Sequence, residues 1–505
     1  MPFSGRHEER MSAMDRKQYL QQIRRVIAQG PYGDNWASLT AHTPPEWYTA
    51  GKLGIFIHWG IYAVPAFGNE WYSRNMYDPG HREFEHHRKT YGEHKVFGYK
   101  DFIPRFKAEK FDPAAWAELF RAAGARFVMP VAEHHDGFAM YDTDLNNWNA
   151  VAMGPKRDVI GEVKAAAEAA GLKFCASNHR AEHYFFMNMG RTFDSDVNDP
   201  AYADFYGPAV YLPEFDDRSL YNTTESPAGT PPTEEWLTDW MVRVCEFIDR
   251  YRPHVLYFDW WIQNYAFKPY LKKIAAYYYN RAAEWGVKVT INYKWEAFAP
   301  GAATYDVERG ALGGISPTPW QTCTAIGKNS WGYTADNVFK SPRQIICDLI
   351  DIVSKNGILL LNVGPRADGT ITEEETHVLR ELGRWLKTNG EGIYGTTPWR
   401  AFGEGSVNRQ TGAFIDGDEN AYTAEDFRFT YKAGVVYAMQ MRPDGRTVTI
   451  RSFRANGIHD FGMETVELLG HDGPLTYTRD GEGLHIALPA AIATDYPLCF
   501  RITLR

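Results

Sequence analysis

Four short apolar runs each end in side chains able to do chemistry: IFI runs into His58-Trp59, FVMPVA into Glu133-His134-His135-Asp136, LKFCA into Ser177-Asn178-His179, and VLYF into Asp259-Trp260-Trp261. Runs of that length and apolarity read as buried strands, so each polar group stands at a strand's C-terminal end. A carboxylate on a rigid strand can serve as nucleophile or proton donor, and neutral imidazoles suit hydrogen bonds to hydroxyls. Asp259 is the strongest catalytic candidate, because two tryptophans follow it and would wall a pocket. Its plain alternative is an Asp that caps the next turn, and by themselves the residues leave those readings even. Glu70-Trp71, in the loop after the first strand, pairs an acceptor with a stacking face, although a surface Glu beside a packed Trp is the commoner arrangement. His134-His135 raise the question of a metal. Consecutive strand residues point to opposite faces, however, and no HExxH or dense acidic cluster accompanies them, so no metal and no cofactor are expected.

The elements that must position these groups belong to an α/β fold. In a closed β/α barrel the strand ends converge on one mouth, which would gather the four clusters. Between residues 47 and 398 apolar runs alternate with helical patterns, and six strands can be counted, at 53–60, 126–132, 172–179, 255–261, 287–295 and 358–365. Helix signals lie between them: Asp112 as N-cap before Pro113 with Gly124 closing the helix, Ser341-Pro342 opening another that Gly357 ends, and Thr372 with Glu375 at capping-box spacing. Residues 1–46 read as a charged helical lead-in. Residues 399–505 lose helical periodicity and alternate in short runs with Pro-Asp-Gly at 443–445, the texture of a smaller antiparallel β-sandwich domain. A chain of 505 residues has room for both units.

Composition narrows the function further. A net charge of −9 and no basic stripe argue against a nucleic-acid partner, because the chain would repel a phosphate backbone. The five cysteines are odd in number, scattered, and mostly inside apolar stretches, so buried thiols are expected rather than a disulfide frame. No apolar stretch reaches membrane-spanning length, and the N-terminus lacks the pattern of an export signal, so no membrane partner and a cytoplasmic location are expected.

Set side by side, GKLGIFIHWGIYAVPAFGNEWYSRNMY (51–77), FDPAAWAELFRAAGARFVMPVAEHHDGFAMYD (111–142), VLYFDWW (255–261), PWQTCTAIGKNSWGY (319–333) and the stretch 358–399 beginning ILLLNVGPRADG resemble the α-L-fucosidases of glycoside hydrolase family 29. The likeness spans roughly residues 45 to 400 and implies a modified (β/α)8 TIM-like barrel. It also implies a retaining exo-α-L-fucosidase acting on fucosylated oligosaccharides or glycoconjugates. By that resemblance Asp259 takes the nucleophile's position. Glu308, in a loop before the WGY motif, takes that of the acid/base, with Glu296 as second choice. His58, Glu70, Trp71, His134 and His135 would bind fucose hydroxyls, with Asn178 a further contact, and Tyr257 and Trp331 would line the sugar pocket. The Trp260-Trp261 pair is expected to join Trp331 as an apolar wall for the methyl of fucose. Lys294 stands in INYKW where family members often have Arg, which keeps the charge but loses the planar two-pronged donor. Relatives commonly assemble, so a homo-oligomer is the expectation by analogy. Two other readings share most of these residues: a retaining barrel glycosidase for another galacto-configured or deoxy sugar, and a non-catalytic carbohydrate-binding barrel.

Overall fold

The computed structural model describes residues 14–211, 232–459, 461–489 and 494–505. Its main sheet is a closed barrel of eight parallel strands: β1 (Leu53–Ile57), β2 (Phe127–Glu133), β3 in two pieces (Lys173–Phe174 and Ala176–Asn178), β4 (Val255–Phe258), β5 (Thr290–Tyr293), β6 (Thr304–Glu308), β7 (Trp320–Ala325) and β8 (Gly357–Val363). Closure comes from β1, where Ile55 pairs with Leu361 of β8 on one side and Val128 of β2 on the other, so the sheet has no free edge to protect. Two strands, β6 and β7, escape the sequence pattern. TYDVE and WQTCTA turn Asp306, Glu308, Gln321 and Cys323 toward the interior, so polar side chains stand where a core-facing run would be apolar.

The longer helices are α1 (Arg16–Gln29), α2 (Pro113–Ala122), α3 (Val159–Ala169), α4 (Glu234–Tyr251), α5 (Lys268–Glu284), α6 (Pro342–Ser354) and α7 (Glu373–Asn389). The β/α alternation is broken at two places, because the connections from β5 to β6 and from β6 to β7 carry no helix. Caps form where the side chains call for them: Asp112 accepts from the Ala115 N–H at 3.0 Å and Ser341 from the Gln344 N–H at 3.0 Å. At α7 the Thr372 hydroxyl accepts from the Glu375 N–H at 3.1 Å. The Glu375 carboxyl turns back to accept from the Thr372 hydroxyl at 3.0 Å and also accepts from the Gly364 N–H at 2.8 Å, tying the helix to the end of β8, and burial pushes it up to about 7.

Strand periodicity explains how the barrel presents chemistry at one end. Phe56, Phe127, Met129, Val131, Cys175, Val255, Tyr257, Cys323, Ile358 and Leu360 form one buried cluster, closed below by Tyr48, whose hydroxyl donates to Gln321 Oε1 at 2.6 Å. Because side chains alternate with period two, one more step along the same strands reaches His58 beyond Phe56, Asp259 beyond Tyr257, Asn362 beyond Leu360 and, through Ser177, His179 beyond Cys175. The site is therefore the top layer of the barrel's own packing.

The C-terminal unit contains β9 (Thr397–Glu404), β10 (Phe427–Lys432), β11 (Val435–Gln440), β12 (Thr447–Ile450), β13 (Met463–Leu468), β14 (Tyr477–Arg479), β15 (Leu484–Ala487) and β16 (Leu498–Leu504). Antiparallel sheets β9-β10-β11-β16-β13 and β12-β15-β14 enclose Phe427, Phe429, Val448, Ile450, Ile486 and Phe500. The unit is fastened to α6 by a buried ion pair, with Arg428 of β10 donating to Asp351 at 2.6 Å while Lys355 holds the other carboxylate oxygen at 2.8 Å. Burial works against the Asp351 charge, but Arg428 and Lys355 outweigh it and hold the carboxyl below its usual range. Removing one partner of such a pair strands a buried charge, which costs about 3–5 kcal/mol, whereas a solvated pair is worth about 1 kcal/mol or less. Arg428→Met should therefore lower stability by roughly 3 kcal/mol or more in equilibrium urea unfolding, and Arg88→Met, on the exposed Arg88–Glu93 pair, should barely move it. Equal losses would show that the buried pair does not hold the two units.

Candidate active site

At the mouth of the barrel lies a cavity of about 210 Å³ lined by Phe56, His58, Asn69, Glu70, Trp71, His134, His135, His179, Tyr257, Asp259, Trp260, Lys294, Glu308, Trp331 and Phe414. Asp259, one residue past β4, is gripped through both oxygens. Lys294 Nζ is 3.1 Å from Oδ1, while His179 Nδ1 donates to Oδ2 at 3.0 Å and His135 Nε2 lies 3.5 Å away. Lys294, one residue past β5, also donates to Glu308, so a single buried ammonium touches both carboxylates. Glu308 is the last residue of β6, not a loop residue as the sequence suggested.

Charge in this pocket is set by burial against that one cation. For Asp259 burial favours the neutral form, but Lys294 and His179 overcome it and hold the carboxyl well below its ordinary range. For Glu308 burial prevails, aided by the charge of Asp259, and the carboxyl is raised despite Lys294. Burial likewise disfavours the Lys294 ammonium, yet Glu308 and Asp259 keep it well above its usual value. The result is two neighbouring carboxyls pushed in opposite directions, one ionised and one inclined to keep its proton.

Three of the imidazoles, those of His58, His134 and His135, are neutral donors and acceptors. Burial drives His58 and His134 far below the ordinary histidine range and takes His135 to about 3. Asn362 donates to the Trp331 carbonyl at 2.7 Å, which orients its amide so that its oxygen, 2.7 Å from His58 Nδ1, must receive the ring proton; His58 Nε2 is then an acceptor. His58, His134 and His179 bring ring nitrogens within 4.8 Å of one another, a donor set that zinc could use. Both nitrogens of His179 are already engaged, with Asp259 and with Ser177 Oγ at 3.0 Å, so the cluster is better suited to hydroxyl groups than to a cation. Glu70 accepts from Ser330 Oγ at 3.0 Å and the Trp331 N–H at 2.9 Å, and Trp71 lies nearly parallel to Trp260 with ring centroids 6.2 Å apart.

Several sequence expectations change. His134 and His135 both line the cavity, although alternation would separate them. The β2–β3 register shifts between Val131 and Glu133, so a bulge turns Glu133 outward to Arg180 at 2.6 Å and His134 inward, and His135 lies beyond the strand. Asn178 lies outside the lining: its amide oxygen accepts from the Arg180 N–H and from Trp240 Nε1, each at 3.3 Å, and His179 faces the cavity instead. Counting by twos from Cys175 would have found His179. Trp261 is buried against Phe185, centroids 4.2 Å apart, so of the tryptophan pair only Trp260 reaches the cavity. Glu296 is exposed and outside the lining. Phe414 had no sequence signal at all, since it comes from the C-terminal unit.

Two carboxyls this close, with opposed charge preferences in a setting of imidazoles and indoles at a barrel mouth, define the class as the barrel glycoside hydrolases. Comparison with known proteins specifies the branch. The α-L-fucosidase family profile matches residues 19–391, and the chain belongs to that family. It is 29% identical to human plasma α-L-fucosidase, over 92% of this chain and 90% of that sequence. Among solved structures, Thermotoga maritima α-fucosidase with a mechanism-based inhibitor is 29% identical with a TM-score of 0.73, over 94% of this chain and 100% of that one. The fucose complex of the same enzyme is 30% identical with a TM-score of 0.71, over 93% and 99% of the two chains.

Proposed function

We propose that this protein is a retaining exo-α-L-fucosidase in which Asp259 is the nucleophile and Glu308 the acid/base. The observation that carries the reading is the shared ammonium: groups each within hydrogen-bond reach of Lys294 stand no more than about 6 Å apart. That bound admits the ~5–5.5 Å of retaining enzymes and falls short of the ~6.5–9.5 Å that an inverting enzyme needs to admit water. Ionised Asp259 attacks C1 of fucose as protonated Glu308 gives its proton to the glycosidic oxygen, forming a fucosyl ester and releasing the aglycone alcohol. Glu308 then takes a proton from water, whose oxygen attacks C1 and frees Asp259.

The remaining lining suits a 6-deoxy sugar. His58, His134, His135 and Glu70 offer hydrogen bonds to ring hydroxyls, while Trp331 and Trp260 provide apolar faces for the C5 methyl. An apolar wall rejects an added hydroxyl only about 10²-fold, so slow turnover of the matching galactoside is compatible with the site.

Asp259→Ala should lower kcat/KM on an aryl α-L-fucoside by about 10⁴-fold or more, and a 2-fluorofucosyl probe should label the Asp259 peptide; label on another carboxylate would remove the assignment. Glu308→Ala should lose roughly 10²–10⁴-fold on fucosides with poor leaving groups and much less on activated ones. An equal loss across leaving groups would argue against its role as acid. Because Lys294 lowers both carboxyls, its removal should raise both. In Lys294→Met the acid limb, where Asp259 becomes protonated, and the alkaline limb, where Glu308 loses its proton, should both move to higher pH. A kcat/KM profile unmoved on either limb would refute that account.

A further inference from the structure

Beside the catalytic cavity lies a second pocket of about 150 Å³, and it lies on one particular side of it. Its lining includes Trp260, Lys294, Glu308 and Phe414, shared with the first cavity, together with Trp295, Tyr305, Val307, Leu312 and Ala413. Asp259 and the histidines are absent from it. The two pockets therefore adjoin at Trp260, Lys294, Glu308 and Phe414, and the second takes in the proton donor but not the nucleophile, which puts it on the acid's side of the site. In a glycoside cleavage that is the side on which the leaving group sits, since its oxygen must lie within reach of the acid.

The pocket's aromatic faces are held open to solvent. Trp295, Tyr305 and Phe414 are 43%, 38% and 59% exposed, and they come from three separate stretches: the loop after β5, the middle of β6, and the C-terminal unit. Large apolar side chains gathered at one exposed place mark a binding surface more often than scattered ones do. Trp295 sits at φ +53°, in the left-handed region that bulky residues avoid, so the backbone holds that ring in place against local preference.

Phe414 is anchored as firmly. Its N–H donates to the Glu308 carbonyl at 2.8 Å and that of Ile415 to the Arg309 carbonyl at 2.8 Å, while Ala311 and Gly412 exchange backbone hydrogen bonds of 3.2 and 3.1 Å. A side chain at Gly310 would collide with the Gly412 carbonyl, so this close approach requires glycine. Asp416 completes the attachment, accepting from Lys340 at 2.8 Å and Thr324 at 2.9 Å. A strip of the C-terminal unit is thus stitched along the end of β6, directly over the acid.

We infer that this pocket is the leaving-group subsite and that it accepts one ring with a flat apolar face, stacked among Trp260, Trp295, Tyr305 and Phe414. The inference rests on the assignment of Glu308 as acid. An aryl ring and the C–H face of a pyranose share that chemistry, and the substrates used can tell them apart.

The test compares three substrates, α-L-fucosyl fluoride, whose leaving group has no ring, an aryl α-L-fucoside, and a disaccharide in which fucose is linked to a pyranose, on the wild type and on Phe414→Ala, Trp295→Ala and Phe414→Trp. The readout is the kcat/KM of each ringed substrate divided by that of the fluoride, which cancels any loss of folded enzyme. The expected result is a fall of about tenfold, equivalent to about 1.4 kcal/mol, in both alanine variants and its recovery in Phe414→Trp. A fall with the disaccharide supports a pyranose occupant, and one with the aryl fucoside alone supports an aryl occupant. An unchanged ratio for both, in an enzyme that hydrolyses the fluoride, overturns the subsite and leaves the fucosidase reading standing. A wild type inert on all three substrates overturns both.

Discussion

One buried ammonium between two buried carboxylates is the constraint on which the rest of the site depends. Taking such charges out of water costs several kcal/mol per ion unless each finds a close partner, and Lys294 is the partner common to Asp259 and Glu308. Its position decides how the carboxylates differ. Asp259 has Lys294 and two imidazoles around it, whereas Glu308 has the same cation but also the repulsion of Asp259. One lysine thus keeps the carboxylates near each other and lets them diverge in proton affinity, which a two-step displacement needs.

The barrel makes that arrangement rigid. Asp259, Lys294 and Glu308 stand at or one residue beyond the ends of three successive strands, on the parity that faces the interior, above a closed apolar layer. Their spacing follows from the distance between neighbouring strands and the stagger of the barrel rather than from loop conformation. The parts that touch neutral groups come from both loop and strand: Glu70, in the loop after β1, clamps the Trp331 segment, and Asn362 of β8 sets the His58 tautomer.

The smaller β unit is more than an appendage to this barrel. It is bound through Arg428 and Asp351 on the α6 side and returns a strip, residues 411–416, to the rim next to Glu308. The connections from β5 to β6 and from β6 to β7 lack helices, and the segment following β6 is the one against which this strip pairs, through Ala311 and Gly412.

Much of the protein was legible in its residues. Period-two and helical patterns marked six of the eight strands and the caps of the main helices, and polar clusters behind apolar runs pointed to His58, the His134-His135 pair and Asp259, because burial and chain periodicity are local properties written in order along the chain. Resemblance to a family singled out Glu308, which no local pattern marked, since a strand with Asp and Glu facing inward does not look like a strand. What only tertiary structure decided were matters of register and of distant contact. A one-residue bulge in β2 turned His134 inward, parity exchanged Asn178 for His179, Trp261 went to the core, and Phe414 arrived from a separate unit. These depend on which strand lies beside which and by how many residues it is offset, and that information exists only once the barrel has closed.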